Sequence, residues 1–179
     1  MKVYPIKNNN TKKKLELYLQ GTSNRNYVIY SIGTQTGLRI GDIINLKIDD
    51  IKGNFLNVVE QKTKKTKNIK LTSKLKSILN NYIKGLKGSY LFPSRQNTKM
   101  SVRRVQQIFK ELATKLNLEQ NFNTHSLRKT YAYDIYTKSN NNLELTMLAL
   151  NHSSQAMTIK YLGIDMDLIF NLMEDINAN

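Results

Sequence analysis

The stretch Asn151-His152-Ser153-Ser154, followed by Thr158, Lys160 and Tyr161, carries the most structural information in this 179-residue sequence. It places an imidazole a short distance before a phenol. A second cluster, His125-Ser126-Leu127-Arg128, comes earlier in the chain. The chain has two histidines, and each lies beside side chains that are able to contact a phosphate. The pattern therefore predicts chemistry on a phosphate group.

The composition favours a polyanionic partner. Lysine and arginine number 28 against 13 aspartates and glutamates, which gives a formal charge of +15 and a pI near 9.9. Such a balance is typical of proteins that bind nucleic acid. A soluble protein with surplus lysine is the alternative that charge alone leaves open. Binding to a membrane surface is disfavoured, because no predicted helix pairs a cationic face with exposed Phe and Leu.

The chain has no cysteine, which excludes disulfides, thiolate catalysis and cysteine-ligated metals. Residues 1–14 are polar and lack the apolar core of a signal peptide, and no apolar run is long enough to span a bilayer. Asn, Lys and Ile are abundant, which is typical of a low-GC bacterial genome. We therefore expect a protein of the bacterial cytoplasm or nucleoid, without a membrane partner.

Hydrophobic spacing predicts an α+β domain that is mainly α, with a small three-stranded antiparallel sheet. The predicted strands lie near residues 49–53, 55–60 and 67–71. The predicted helices span about 11–19, a segment that starts at 26, and 40–46, 73–84, 102–116, 125–137, 143–149, 155–162 and 165–176. We expect residues 1–11 to form an N-terminal tail and residues 12–179 to form a single domain.

The first candidate pair is His125 with Arg128. Three residues apart on a helix, the two side chains project to the same side. Arginine matches two phosphate oxygens with its planar fork, and histidine transfers a proton near neutral pH. A histidine that caps a helix beside a surface arginine is the competing interpretation of this short motif.

Tyr161 is the candidate nucleophile. A phenol has an ordinary pKa of about 10, so attack on phosphorus requires cationic neighbours and a proton acceptor. The candidates for these neighbours are His125, Arg128, His152 and Arg39. Packing in the core or on the surface is the competing interpretation, since the chain has ten tyrosines.

Two further basic features complete the set. Arg39 follows Thr36-Gly37-Leu38 and begins a helix, where nearby backbone amides favour anions. A basic loop between two predicted strands carries the candidate DNA-contacting lysines Lys62, Lys64, Lys65 and Lys67. A lysine at the tip of such a hairpin is able to give a proton to a leaving 5′ oxygen. A first-turn surface arginine and nonspecific phosphate attraction are the simpler interpretations.

In this order, the motifs make the chain resemble the tyrosine recombinases, also called the phage integrase family. The resemblance covers roughly residues 12–177 and rests on the lysine hairpin together with four quoted segments. These are Thr36-Gly37-Leu38-Arg39, His125-Ser126-Leu127-Arg128-Lys129-Thr130, Leu150-Asn151-His152-Ser153-Ser154 and Thr158-Ile159-Lys160-Tyr161-Leu162-Gly163. The resemblance implies the catalytic fold of that family.

The resemblance also implies a role for each residue at the reacting phosphate. Tyr161 is expected to form a 3′-phosphotyrosyl bond with DNA. Arg39 and Arg128 are expected to bind the scissile phosphate and stabilise charge on its non-bridging oxygens. His152 is expected to form a hydrogen bond to the same phosphate and to orient it.

Proton transfer is assigned in the same way. His125 is expected to accept the tyrosyl proton as general base. Lys62 is expected to protonate the 5′ hydroxyl as general acid, because Gln61-Lys62-Thr63 before a basic stretch matches the family hairpin best. Lys64 and Lys65 remain open as alternatives for that role.

The implied partners follow from the same resemblance. Double-stranded DNA is the expected substrate, and no metal or other cofactor is expected. The family exchanges strands within a tetramer on two DNA sites, so we expect a homo-tetramer on paired sites and a monomer or weak dimer without DNA. The predicted last helix, about 165–176, docks on a neighbouring subunit in one interpretation and packs on its own core in the other.

Two departures from the family pattern are visible. Asn151 stands before the second histidine where glycine is commoner. Nearly all of an N-terminal core-binding domain is missing, so the chain is either an excised catalytic domain or a short stand-alone member of the family. The opening Met1-Lys2-Val3-Tyr4-Pro5 resembles a natural start and favours the short member. A type IB topoisomerase-like nicking and resealing enzyme and a catalytically silent DNA-binding accessory protein are the two rival functions.

Overall fold

A computed structural model describes residues 3–61, 64–118 and 122–163 of the chain. Its helices are α1 (Asn9–Thr22), α2 (Asn24–Thr36), α3 (Ile40–Asn45), α4 (Ser73–Ile83), α5 (Val102–Lys115), α6 (Thr124–Lys138), α7 (Leu143–Leu150) and α8 (Gln155–Leu162). Its strands are β1 (Ile51–Lys52), β2 (Phe55–Val59) and β3 (Thr66–Lys70), and a 3₁₀ turn at Ile48–Asp50 precedes β1.

Helix α2 is the centre of the main core. Its residues 27–33 are all buried, so it is apolar around most of its circumference, as expected of a helix enclosed by others. It packs against α1, α4 and α6. Ser23 begins the helix by accepting a hydrogen bond from the backbone N–H of Asn26, and Gly37 ends it in the left-handed conformation.

The three strands form one antiparallel sheet in the order β1-β2-β3. In its longer pair, Leu56 lies opposite Ile69 and Val58 lies opposite Lys67. Leu56 and Val58 are buried, whereas alternate positions on β2 face outward. This period of two is typical of a sheet with one covered face.

Helices α6, α7 and α8 form a second, smaller apolar cluster. Its buried members are Ala132, Leu150 and Leu162, and half-buried Tyr131 and Tyr161 pack against them. Helix α6 belongs to both clusters, because its Leu127 is part of the main core. Among the described residues, the helix pair α7–α8 therefore packs on α6 through this small apolar cluster.

The predicted fold class is confirmed, and most element bounds agree within two or three residues. Helix α1 begins at Asn9, earlier than predicted, because the side chain of Asn8 caps it. Within the predicted tail, Ile6 is buried and its backbone N–H donates to the Thr130 hydroxyl at 2.9 Å, so this residue packs on α6. The predicted helix 165–176 lies outside the described residues.

Membrane insertion finds no support in the described part of the chain. None of its helices has the length and apolar content that a membrane crossing requires.

Candidate active site

Arg128 lies at the centre of the site and is bonded to backbone oxygens from two distant segments. It is on α6 and only 4% of its surface is exposed. Nη1 donates to the carbonyl of Gly37 at the end of α2, and Nη2 donates to the carbonyl of Leu150 at 2.8 Å. Burial lowers the pKa of this guanidinium, although an arginine stays charged at any ordinary pH. Its fork thereby joins α2, α6 and α7.

The glycine at position 37 is required by this geometry. Gly37 has a φ of 65°, a conformation that residues with a side chain rarely adopt. A Cβ placed there would also overlap the ring of Tyr131. The resulting turn directs the Gly37 carbonyl at Arg128 and leads the chain straight to Arg39.

Arg39 precedes the first turn of α3 and, within the described residues, forms one ion pair. Its Nη1 lies 3.6 Å from Oε1 of Glu60, a residue that follows β2 and is 1% exposed. Nη1 is enclosed and makes no hydrogen bond within the described residues. A guanidinium held by one long ion pair keeps donors available for an anionic ligand.

Asp42 connects α3 to the lysine hairpin. Its side chain is buried, and Oδ1 accepts a hydrogen bond of 2.8 Å from the backbone N–H of Gln61. Gln61 immediately precedes Lys62. The carboxylate thus anchors the start of the hairpin next to the helix that presents Arg39.

His152 occupies the short connection between α7 and α8. Asn151 before it adopts the left-handed conformation that ends α7, and the His152 backbone N–H donates to the carbonyl of Met147 at 3.0 Å. The ring Nδ1 lies 3.0 Å from the hydroxyl of Thr158 on α8. That hydroxyl is 3.4 Å from the carbonyl of Ser154, so Nδ1 is its nearer partner.

The electrostatics of His152 favour the neutral ring. Burial lowers the pKa of His152, and the charges of Arg128 and Arg39 lower it further. When the Thr158 hydroxyl donates to Nδ1, the ring proton is on Nε2, which then serves as a hydrogen-bond donor. This is the tautomer that a contact with a phosphate oxygen requires.

Tyr161 is in the last turn of α8, surrounded by cationic groups. Its ring meets that of His152 edge to face, with centroids 5.3 Å apart. Arg128 Cζ and Lys129 Nζ lie 6.0 Å and 5.1 Å from the ring centroid. The hydroxyl is enclosed, and although Arg128 is near it, the two groups do not align as a hydrogen bond.

The pKa of Tyr161 reflects two opposing effects. Burial raises it, whereas the charges of Arg128 and Arg39 lower it, and burial dominates. The phenol of the DNA-free protein is therefore neutral and shielded from solvent. The same cations that lower its pKa are the groups that would stabilise a phenolate.

His125 lies three residues before Arg128 on α6, and its side chain is exposed. It is in the first turn of the helix, where its backbone N–H donates to Oδ1 of the capping residue Asn123 at 2.8 Å. Within the described residues, no hydrogen bond or ring contact joins the side chain of His125 to Tyr161. The imidazole that contacts Tyr161 is that of His152.

The hairpin lysines differ from one another. Lys62 lies outside the described residues. Lys64 and Lys65 are exposed in the turn, and Lys64 has a positive φ of 58°. Lys67 on β3 is half-buried, and its Nζ donates to the carbonyl of Ala149 at 3.3 Å. The ammonium of Lys67 therefore has a partner inside the protein. Its role as a DNA contact stays a prediction.

Several residues of the site had no assigned role in the sequence. Glu60 and Asp42 are buried carboxylates beside a phosphate-binding candidate, and Thr158 is the partner of an imidazole. One sequence signal was available for Asp42, because it lies three residues after Arg39, in the first turn of the helix that Arg39 precedes. For Glu60 the contact depends on how the end of β2 comes close to Arg39, which local sequence does not reveal.

Residues 8–167 of the chain match the phage integrase family. A probable integrase/recombinase, YoeC of Bacillus subtilis, is 36% identical over 169 residues, which cover 92% of each chain. The tyrosine recombinase XerC of Caldanaerobacter subterraneus is 30% identical over 87% of this chain. The match spans 45% of that XerC, so this chain corresponds to about half the length of such relatives.

Solved structures show the same fold. The XerA recombinase superposes with a TM-score of 0.76 at 21% identity, covering 96% of this chain and 65% of that one. The XerH recombinase in a post-cleavage complex with a palindromic difH substrate gives 0.74 at 20% identity, with 93% and 52% covered. At these identities the likeness concerns the fold of the catalytic region.

Proposed function

Because this chain belongs to the phage integrase family of tyrosine recombinases, we propose that it cuts and rejoins DNA strands through a 3′-phosphotyrosyl bond formed by Tyr161. One observation carries the proposal. The fold brings Arg128, His152 and Tyr161 together: the rings of His152 and Tyr161 meet with centroids 5.3 Å apart, and Arg128 Cζ lies 6.0 Å from the Tyr161 centroid. The charge of Arg39 lowers the pKa of all three groups.

The cleavage step follows from these groups. The Tyr161 oxygen attacks phosphorus, the bond from phosphorus to the 5′ oxygen breaks, and the DNA strand leaves with a 5′ hydroxyl. Arg39 and Arg128 stabilise the charge that develops on the non-bridging oxygens, and His152 donates from Nε2 to one of them. In the second step a 5′ hydroxyl from a partner duplex attacks the phosphotyrosine and restores a phosphodiester.

Proton transfer is the part of the proposal that rests on the family resemblance. His125 accepts the tyrosyl proton, and Lys62 donates a proton to the leaving 5′ oxygen. Asp42 supports the second assignment, because it anchors the backbone one residue before Lys62. Within the described residues, no hydrogen bond or ring contact joins the side chain of His125 to Tyr161, so the role of His125 as base is supported by the resemblance alone.

Assembly on DNA is proposed as a tetramer on paired sites, with residues 12–179 acting as one catalytic domain. The membership of α6 in both apolar clusters supports a single domain. Exposed apolar side chains on α7 and α8 support a contact with another copy of the chain. They include Leu145, Met157 and Leu148, and the side chain of Leu148 is 68% exposed.

Both rival functions lack a favouring observation. The relatives and solved structures described above are named recombinases or integrases. Supercoiled plasmid with and without paired recombination sites separates the first rival, because a topoisomerase relaxes either plasmid whereas a recombinase exchanges strands only between sites. An accessory protein would bind DNA and form no covalent bond.

The proposal is tested by covalent capture in the bacterial host. Cells that express the chain are lysed in detergent, protein-linked DNA is recovered, and both the DNA and the linked peptide are sequenced. We expect a recurring DNA site and a nucleotide attached to the peptide that contains Tyr161. Recovery of DNA on another residue, or of no linked DNA from cells in which the chain is folded and abundant, would contradict the proposal.

A further inference from the structure

The C-terminal end of α7 has all four of its last carbonyl groups satisfied. A helix leaves these groups without partners of its own, so they mark where other elements attach. The carbonyls of Met147 and Leu148 accept backbone N–H groups of residues 152 and 151. The next two accept side-chain cations, with Lys67 on the carbonyl of Ala149 and Arg128 on that of Leu150.

Lys67 and Arg128 thus have the same function at this helix end, because each donates to one of the last two carbonyls of α7. Cations are favoured there because the helix dipole places partial negative charge on the last carbonyls. The two come from different parts of the fold, Lys67 from β3 and Arg128 from α6. Lys67 binds the carbonyl of Ala149 and Arg128 binds that of the next residue, so the Lys67 ammonium lies at the edge of the candidate active site.

We propose that Lys67 is a positioning residue for the recombinase reaction, which holds the end of α7, and through it His152, at a set place relative to the lysine hairpin. The expected effect of Lys67 on cleavage rests on the proposed function. The hydrogen bond to Ala149 is three residues before His152, and β3 begins directly after the hairpin turn. One side chain therefore joins the strand that follows Lys62 to the loop that presents the imidazole.

The small apolar cluster beneath α7 and α8 gives a polar tether a part in their attachment. Among the residues that the structure describes, its buried members are Ala132, Leu150 and Leu162. Asn151, which determines the direction of the chain into His152, is exposed and in a left-handed conformation. His152 is held by hydrogen bonds of its backbone and its ring as well as by the Tyr161 ring, and the bond from Lys67 links α7 to the β-sheet.

The alternative is a direct chemical role for Lys67. An ammonium has three donors, and one bond to Ala149 leaves two for a phosphate oxygen or for a leaving 5′ oxygen. Either role would make the side chain a catalytic residue. The two possibilities predict different responses of the free protein and of a modified DNA substrate.

The first measurement uses the free protein and three variants. Lys67→Met removes the charge and keeps the aliphatic stem, Lys67→Arg keeps a cation, and Lys70→Met removes a charge from an exposed position on the same strand. Proton NMR detects the contact between the His152 and Tyr161 rings as a nuclear Overhauser effect. We expect this signal to weaken in Lys67→Met, to return in Lys67→Arg and to stay unchanged in Lys70→Met. Should Lys67→Met fail to fold, Lys67→Gln, which keeps an N–H donor without charge, takes its place with the same expectation of a weakened signal.

The second measurement is the rate of single-turnover cleavage on a nicked duplex that carries the captured site. A misplaced imidazole is expected to slow cleavage by about 10- to 100-fold in Lys67→Met, with partial recovery in Lys67→Arg and no change in Lys70→Met. A substrate with sulfur in place of the bridging 5′ oxygen needs no proton on its leaving group. We expect the Lys67→Met defect to persist on it, because positioning is not replaced by a better leaving group.

Two results would overturn the inference. An unchanged ring contact in Lys67→Met shows that Lys67 does not position His152. Full recovery on the sulfur substrate shows that Lys67 donates the proton itself. If the wild-type protein fails to cleave, the proposed function fails, and the ring contact in the free protein still decides whether Lys67 holds His152.

Discussion

The imidazole of His152 meets the ring of Tyr161 edge to face, with centroids 5.3 Å apart. The contact joins two neighbouring segments, because His152 lies in the connection between α7 and α8 and Tyr161 lies on α8. Thr158, one turn before Tyr161 on α8, binds Nδ1 of the same imidazole at 3.0 Å. Tyr161, His152 and Thr158 therefore form one contacting unit.

Replacing Thr158 by valine is expected to remove the hydrogen bond that holds the ring of His152 on α8. The hydroxyl is buried, and its loss leaves Nδ1 without its partner, which costs about 1 kcal/mol of unfolding free energy. Chemical denaturation measures the stability, and ¹⁵N NMR of the ring measures which nitrogen carries the proton. Thr137→Val is the control, because that hydroxyl bonds its own helix on an exposed face. An unchanged tautomer and stability in Thr158→Val would contradict the assigned contact.

Removal of the Tyr161 hydroxyl should separate chemistry from binding. The hydroxyl is enclosed and makes no aligned hydrogen bond in the described structure, so Tyr161→Phe is expected to keep the stability and nearly all the DNA affinity. It should abolish the detergent-resistant adduct with a nicked duplex. Tyr136→Phe, on the same small cluster, should form the adduct normally. An adduct in Tyr161→Phe would assign the nucleophile to another residue.

The sequence predicted the elements well because periodicity is a local property. Helices α4 to α8 follow from apolar spacing and from capping residues such as Ser154, whose hydroxyl accepts the N–H of Met157. The order of site motifs likewise predicted that His152 and Tyr161 belong together. The bonds from Arg128 and Lys67 to the end of α7 were beyond prediction, because they depend on how distant elements pack and no local pattern encodes them.

The ionisation of His152 should make stability depend on pH. Burial and the nearby arginines lower the pKa of the folded protein's ring below the ordinary value of about 6.5. The unfolded chain then binds a proton more readily, so stability is full above about pH 6.5 and falls as the pH decreases toward the folded-state pKa. Each unit of pKa difference is worth about 1.4 kcal/mol, reduced by solvent screening at a half-buried ring.

Denaturation of the wild type and His152→Asn at pH 7 and pH 5 measures this contribution. We expect the wild type to lose more stability between the two values than the variant does. Equal losses would show that the ring of His152 has the same proton affinity in the folded and unfolded states.

Arg128 is expected to be essential for the fold as well as for cleavage. Arg128→Ala leaves the carbonyls of Gly37 and Leu150 buried without their partners, at about 1–3 kcal/mol for each group. Thermal and chemical unfolding measure this loss, and Arg103→Ala on the exposed face of α5 is the control. Arg128→Lys should recover part of the stability, since an ammonium reaches one carbonyl. Unaltered stability in Arg128→Ala, or normal cleavage by it, would remove the proposed double role.

Glu60 should oppose DNA binding by the cationic cluster. Its buried carboxylate lies 3.6 Å from Arg39 and also affects Arg128 and Lys67, so a negative charge faces the position proposed for the phosphate. Glu60→Gln removes that charge and nearly preserves the shape. We expect DNA affinity to rise by roughly 1 kcal/mol, or about fivefold, at low salt.

Fluorescence anisotropy with a labelled 30-base-pair duplex at several salt concentrations measures this effect. Binding by the wild type should weaken steeply as salt rises, because phosphate contacts release counterions. Glu111→Gln on α5, whose carboxylate bonds the exposed Gln107, is the matched control and should bind as the wild type does. If Glu60→Gln binds no more tightly than that control, the carboxylate serves only to hold Arg39 in place, and the gain in positive potential is cancelled by the loss of that orientation.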